Sequence, residues 1–266
     1  MGWENPLRVA EDWATVDVLS GGRLNPGFSV GPPMQWEHVH GALYPDTAEA
    51  EDFTYTRVER LLALLRGERA SSFAGTQGIE TFSERVQPHS PGLLSRCWYG
   101  GASLASARWA GGQGLNLLTS SVVKAEDHEL TGEGDFGRIQ RAHIDTFRAA
   151  HPEAGQARVS QGLVVIPTDS ATPDQRDRYA AYAASRLERT RTPQGPGRLL
   201  FAPDLVGPSD ESRRAAAGSP GLPGRRRGGL RPALHLRRGR LRPDPHRPRH
   251  PARPGAGLEP GGLSRR

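Results

Sequence analysis

The residues with the clearest chemical potential are Trp98-Tyr99-Gly100-Gly101-Ala102-Ser103-Leu104-Ala105-Ser106. An apolar run ends there, two glycines turn the chain, and a helix is expected to begin at Ser103. Main-chain N–H groups at a helix start, together with the positive end of the helix dipole, form an anion site. Glycines let a backbone approach a phosphate closely, and the Ser103 and Ser106 hydroxyls can donate hydrogen bonds to one. The same residues also read as a tight Gly-Gly turn before an ordinary Ser103 N-cap, a common arrangement at helix starts. The segment taken alone does not choose between the two.

Other chemically able groups say less. Ser20-Gly21-Gly22-Arg23 reads as a second anion candidate, or as a helix stop followed by an exposed arginine. Thr119, Ser120 and Ser121 end a predicted strand, where barrel loops build their sites; hydroxyls there equally cap a following loop. His38 and His40 fall in a predicted loop, His143 on a helix face and His151 just after a helix. None has ligand spacing to a second His or Cys, so no metal is expected. Cys97 is the single cysteine, which excludes an internal disulfide and fits a reducing, cytoplasmic setting. It is expected to pack as a small apolar residue in a strand. The absence of a Walker loop, a G-x-S-x-G elbow and a G-x-G-x-x-G turn argues against hydrolase and Rossmann chemistry.

The elements that must position these groups follow from apolar spacing. Positions 5–19 predict an amphipathic helix with Pro6 in its first turn and Leu7, Ala10, Ala14 and Val18 on its buried stripe, widened by Val9, Trp13 and Val16. Leu24 to Val30 predicts a short strand broken by Gly31-Pro32-Pro33. Thr47 to Arg66 predicts a helix buried through Val58, Leu61, Leu62 and Leu65. Phe73 to Phe82 predicts a small hairpin around Gly75 and Gly78. Then come a strand (Arg96 to Tyr99), a helix (Ser103 to Gly112), a strand (Leu115 to Thr119) and a helix (Asp135 to Ala150). Gly162 to Ile166 is a continuous apolar run, which predicts a strand buried on both faces as in a parallel sheet. Pro173 to Arg189 predicts a helix capped by Thr172. Alternating strands and helices imply βαβ crossovers and a parallel sheet, open or barrel-shaped.

The chain has 266 residues and a formal net charge of +6, which suggests a nucleic-acid binder until the charge is located. Residues 212–266 hold 15 Arg, no Lys and two acidic residues, whereas residues 1–211 hold 20 basic and 27 acidic ones. The body is therefore acidic. The tail, made mostly of Arg, Pro, Gly, Leu, Ala and His, is expected to be a separate disordered segment. Nucleic-acid binding through this tail is an alternative reading, which the lack of any aromatic residue to stack on bases disfavours. No run of about 18 apolar residues predicts a membrane span, and no signal peptide is expected at the N-terminus.

Three motifs together resemble the bacterial luciferase-like flavin monooxygenases. Residues 5–24, from Asn5-Pro6-Leu7 to Ser20-Gly21-Gly22-Arg23-Leu24, are similar to that family's "P…A…A.LD.LSGGR" helix and turn. Trp98-Tyr99-Gly100-Gly101, with Ser103, Ser106, Ala107, Ala110 and Gly114, resembles its strand and phosphate-binding helix start. Gly207-Pro208-Ser209-Asp210-Glu211 is similar to its "G.p.E" loop before a late helix. The resemblance covers about residues 5–211 and implies a TIM-type (β/α) barrel. It implies reduced FMN, or a deazaflavin coenzyme in a reductase on the same barrel, with O2 inserted into a small-molecule substrate in the FMN case. Gly100, Gly101, Ala102, Ser103 and Ser106 would hold the flavin phosphate, with Thr119 and Ser120 in a neighbouring loop. The catalytic base stays unassigned. A separate flavin reductase would donate the reduced flavin, and the family pattern allows a homo-oligomer. In the family the Ser-Gly-Gly-Arg turn follows several strand–helix units, so the barrel is expected to be incomplete, as though truncated at the start. Read one nucleotide out of frame with GC-rich codons, residues 231–249 become an apolar strand and an amphipathic helix. The tail is accordingly expected to be a frameshifted last barrel unit, with residues 1–211 as the barrel domain.

Overall fold

The computed structural model describes residues 1–126 and 135–218. In chain order, α1 (Pro6–Leu19), β1 (Gly27–Phe28) and α2 (Trp36–Leu43) lead through a 3-10 turn at Ala48–Ala50 to α3 (Tyr55–Leu65). The hairpin β2 (Gly75–Gln77) and β3 (Glu80–Phe82) precedes β4 (Trp98–Gly101), α4 (Leu104–Gly112), β5 (Asn116–Thr119) and β6 (Val122–Lys124). Next come α5 (Asp135–Ala150), β7 (Val159–Gln161), β8 (Val165–Pro167), α6 (Pro173–Ser185) and α7 (Glu188–Arg191). The described chain ends with β9 (Leu199–Phe201), β10 (Leu205–Gly207) and α8 (Ser209–Gly218). The Arg-rich tail after Gly218, and what the sequence predicts for it, lie outside the described residues.

The fold is α/β. A four-stranded parallel sheet has the order β1-β4-β5-β7. Helices α1, α3, α4 and α5 supply one continuous core against it, built from residues such as Val9, Ala14, Leu61, Leu62, Tyr99, Ala107, Leu117 and Phe147. Parallel β8 and β10 pair separately, and β6 pairs antiparallel with β9. Among the described residues the sheet does not close on itself. This agrees with the expected incomplete barrel.

Local chemistry explains the helix ends. Asn5 caps α1 by accepting from the Leu7 amide at 2.9 Å, with Pro6 at the first helical position. Thr172 caps α6 with Pro173 in its first turn, as the sequence predicts, and Gln175 completes a reciprocal capping box.

Several boundaries depart from expectation for identifiable reasons. The α1 stripe is rotated: Pro6, Val9, Ala10, Ala14 and Asp17 are buried, while Leu7, Val16 and Val18 are exposed. The Thr47–Arg66 helix is interrupted because Asp52 and Thr54 side chains capture the amides of Thr54 and Thr56, which starts α3 at Tyr55 instead. His38 and His40 sit on α2, not in a loop. That helix hides from pattern reading because it is eight residues long, contains Gly41 and has Gln35 in a left-handed conformation in place of a capping side chain. Cys97 precedes β4 rather than lying in it. The apolar run from Gly162 is not one strand and is only half-buried. Gly162 passes against the end of β5, where its amide donates to Thr119 O at 2.9 Å, and the chain then turns to pair with β10. The Pro173–Arg189 helix breaks after Ser185, where the Ser185 hydroxyl turns back onto Tyr182 O.

Candidate functional site

Strand β4 delivers Gly100 and Gly101 to the carboxyl edge of the parallel sheet, and α4 begins three residues later. Gly101 lies in register with Thr119 at the end of β5, so two of the sequence-predicted clusters are neighbours. This is the edge at which open and barrel α/β sheets place ligands.

Each predicted residue has a definite local role. A Cβ on Gly101 would stand 3.1 Å from Ser106 Oγ and 3.3 Å from Leu117 Cδ1, so strand and helix pack closely there and a side chain would press on both. Gly100 is looser, with Phe28 O the nearest atom at 3.6 Å. Ala102 O accepts from the Lys124 amide at 2.7 Å, which ties the loop before α4 to β6. Ser103 is the N-cap of α4. Its Oγ accepts from the Ser106 amide at 3.1 Å while Ser106 Oγ accepts from the Ser103 amide at 3.0 Å, a reciprocal box with serine in the place usually held by Glu or Gln. Ser106 is buried, and its hydroxyl lies 2.9 Å from Ser103 O. It therefore holds the helix start in shape, whereas Ser103 is half-buried. The Ser103–Ser106 box does not use the next amide, Leu104 N, which donates to Glu126 Oε2 at 3.2 Å. An anionic oxygen thus already sits on the α4 terminus.

Thr119 and Ser120 are engaged differently. Thr119 Oγ1 donates to Ser160 O at 3.0 Å and accepts from Gln140 Nε2 at 3.1 Å. Gln140, fully buried on α5, also donates to Ser120 O and accepts from Gln161. This network clamps the carboxyl ends of β5 and β7. Ser120 Oγ accepts from the Val122 amide at 3.0 Å and shapes the turn into β6. Gln140 was missed by sequence reading because a glutamine on a helix face carries no signal; its position one turn before His143 and Ile144 on the buried face was the available clue.

A luciferase-like monooxygenase family model matches residues 1–220. The chain belongs to the luciferase-like monooxygenase family. Among solved structures it is similar to apo-MsnO8, at 25% identity and a TM-score of 0.47, covering 81% of this chain and 55% of that one. It is also similar to the monooxygenase RslO1 from Streptomyces bottropensis, at 19% identity and a TM-score of 0.44, covering 70% of this chain and 53% of that one. A third likeness is to an F420-dependent secondary alcohol dehydrogenase in complex with an F420-acetone adduct, at 16% identity, a TM-score of 0.41, and coverage of 80% and 58%. The chain spans a little over half the length of each of these proteins. No curated protein matches it.

Within this luciferase-like chain the first motif is structural. Ser20 closes α1, and Gly21 and Gly22 take left-handed φ values of 66° and 77°, which glycine adopts at no steric cost. Arg23 is exposed and its Nε returns to Ser20 O at 2.6 Å, so Ser20 to Arg23 is a helix stop. The motif's aspartate, Asp17, is fully buried. It accepts from the Leu24 amide at 3.0 Å, from the Ser90 hydroxyl at 2.5 Å and from the Arg96 guanidinium. Burial alone would raise its pKa; the Ser90 and Leu24 donors and the Arg96 charge outweigh that and hold the carboxyl below its usual value. Asp17 therefore locks the α1–β1 turn to the segment entering β4. Cys97, buried beside it, has its thiol pushed up to about 12 by desolvation, which leaves it unreactive. The Tyr99 phenol is likewise raised by burial and by the Tyr55 hydroxyl, so it stays protonated.

Proposed function

We propose that this chain is a flavin-dependent monooxygenase that binds reduced FMN by its phosphate at the start of α4 and uses O2 on a small organic substrate. The observation carrying the reading is the Leu104 amide at the carboxyl edge of β4, already bonded to a carboxylate oxygen. A helix-start amide that donates to one anionic oxygen has the right chemistry for another, and the Ser103–Ser106 box keeps it rigid without help from a ligand.

The roles divide among this chain's residues. Leu104 N would donate to a phosphate oxygen, and the Ser103 hydroxyl, which donates to Ser106 Oγ at 3.0 Å, could turn to a second one. Gly101 lets strand and helix approach closely, and Ser106 fixes the cap. Thr119 and Ser120, clamped by Gln140, shape the adjacent loop. When bound, the reduced flavin supplies the electrons that activate O2. A separate flavin reductase is the proposed source of that reduced flavin.

The test is fluorescence titration with FMN and with riboflavin, which lacks the phosphate. FMN should bind at least tenfold more tightly, and Ser103→Ala should reduce that preference while circular dichroism shows the helices retained. Equal affinity for the two flavins would overturn the proposal. Turnover that needs O2 supports the monooxygenase; hydride transfer to a deazaflavin under anaerobic conditions would instead make the chain a reductase.

A further inference from the structure

We propose that Glu126 is a built-in competitor for the anion site at the start of α4, so that a phosphate can enter only by displacing its carboxylate. The inference rests on the phosphate-site reading above and adds its regulation.

The contact is held in place from both sides. The Lys124 amide donates to Ala102 O at 2.7 Å, directly before the α4 cap. The Ala125 amide donates to Arg198 O at 2.9 Å, and Arg198 Nε returns to Ala125 O at 3.0 Å. Strand β6 itself is paired along Val122–Lys124 with Leu199–Phe201 of β9. The backbone entering Glu126 is therefore fixed between the α4 loop and β9, and its half-buried carboxylate is delivered to Leu104 N. Ser103 and Ser106 have already satisfied each other's amides, so the Glu126 oxygen sits on the first amide that the cap leaves over.

Two like charges cannot share that position. A phosphate oxygen on Leu104 N would meet the carboxylate at hydrogen-bond range, and the repulsion is strong where water is partly excluded. The ligand must therefore break the Leu104–Glu126 bond and turn the side chain out. Its apparent affinity is lower by the fraction of molecules in which the site is open.

A second helix offers an internal comparison. Asp169 accepts from the Ser209 amide at 3.0 Å and from its hydroxyl at the start of α8. That carboxylate is exposed and belongs to a helix to which no ligand is assigned. Removing it should leave flavin binding unchanged.

The experiment titrates FMN and riboflavin into the full chain as wild type, Glu126→Gln, Glu126→Ala and Asp169→Ala. The two Glu126 variants should tighten FMN binding about tenfold, the scale of one charge-assisted hydrogen bond, and leave riboflavin unchanged. Glu126→Gln keeps the side-chain volume, so a folding defect in the alanine variant does not remove the test. FMN preferred over riboflavin in the wild type, with the same FMN affinity in the Glu126 variants as in the wild type, would overturn this inference and leave the phosphate site standing. Weaker FMN binding in the variants would make Glu126 a ligand contact and also overturn it. No preference for FMN in any variant would overturn both readings. An equal gain in Asp169→Ala would show a general charge effect and count against a specific competitor.

Discussion

Both ring nitrogens of His143 are buried and find no hydrogen-bond partner among the described residues. The side chain shares the buried face of α5 with Gln140, Ile144 and Phe147. Burial disfavours the charged ring and lowers its pKa from 6.5 to about 4. In the unfolded chain the ring returns to its ordinary value, so between about pH 6.5 and 4 the unfolded state binds a proton that the folded state does not. Stability must then fall as pH drops through that window, by about 3 kcal/mol in total, with no further loss from this group below it. Asp17 acts in a separate range: its lowered pKa contributes stability above the ordinary carboxylate value, which is lost as pH falls further. His143→Leu should therefore flatten the urea-unfolding free energy between pH 7 and 4.5 and leave the steeper acid limb in place. The same pH dependence in variant and wild type would show that the imidazole reaches water or a partner.

At the scale of elements, the packing of α4 on α5 turns on one of two adjacent glycines. A Cβ on Gly111 would stand 2.4 Å from Phe147 O and 3.0 Å from Ala150 Cβ, whereas one on Gly112 meets nothing within 4 Å. Gly111→Ala should force the helices apart and cost about 1–3 kcal/mol. Gly112→Ala should stabilise by about 0.5–1 kcal/mol, because alanine loses less backbone freedom in a helix. Denaturant midpoints of the two variants should move in opposite directions; a shift of the same sign would contradict the close helix contact. The Gly111-Gly112 pair looks uniform in sequence, and this shows where sequence legibility stops. The helical periodicity of α1, α3 and α5 and the Gly-Gly-x-Ser start of α4 are local signals, so they could be read directly. The three-residue strands β6, β9 and β10 have no period long enough to detect, and they exist because partners distant in sequence pair with them. The site divides the same way. Gly101, Ser103 and Ser106 follow from local cap chemistry. Gln140 and Glu126 reach the site through tertiary packing, from positions 21 and 22 residues away from their partners.

Across the molecule as a whole, the sheet has two unequal faces. Strand residues alternate sides, and Tyr99 and Leu117 point into the core shared by α1, α3, α4 and α5. The residues between them, Gly100, Leu118 and Ser160, are in register on the opposite face. There Leu118 is 41% exposed in an interior strand, although parallel sheets are normally covered on both sides. Among the described residues the sheet thus draws its stability from the helical side, and the opposite face, which a closed barrel would turn inward, adds little. Paired substitutions measure this directly. Leu117→Ala removes a fully buried side chain and should cost about 2–5 kcal/mol, while Leu118→Ala should cost less than about 1 kcal/mol. Flavin titration of the same pair separates stability from function: Leu118→Ala alters the face beside Gly100 without loosening the core. A large loss of stability at Leu118 would mean that the second face is covered in solution, which an open sheet does not allow.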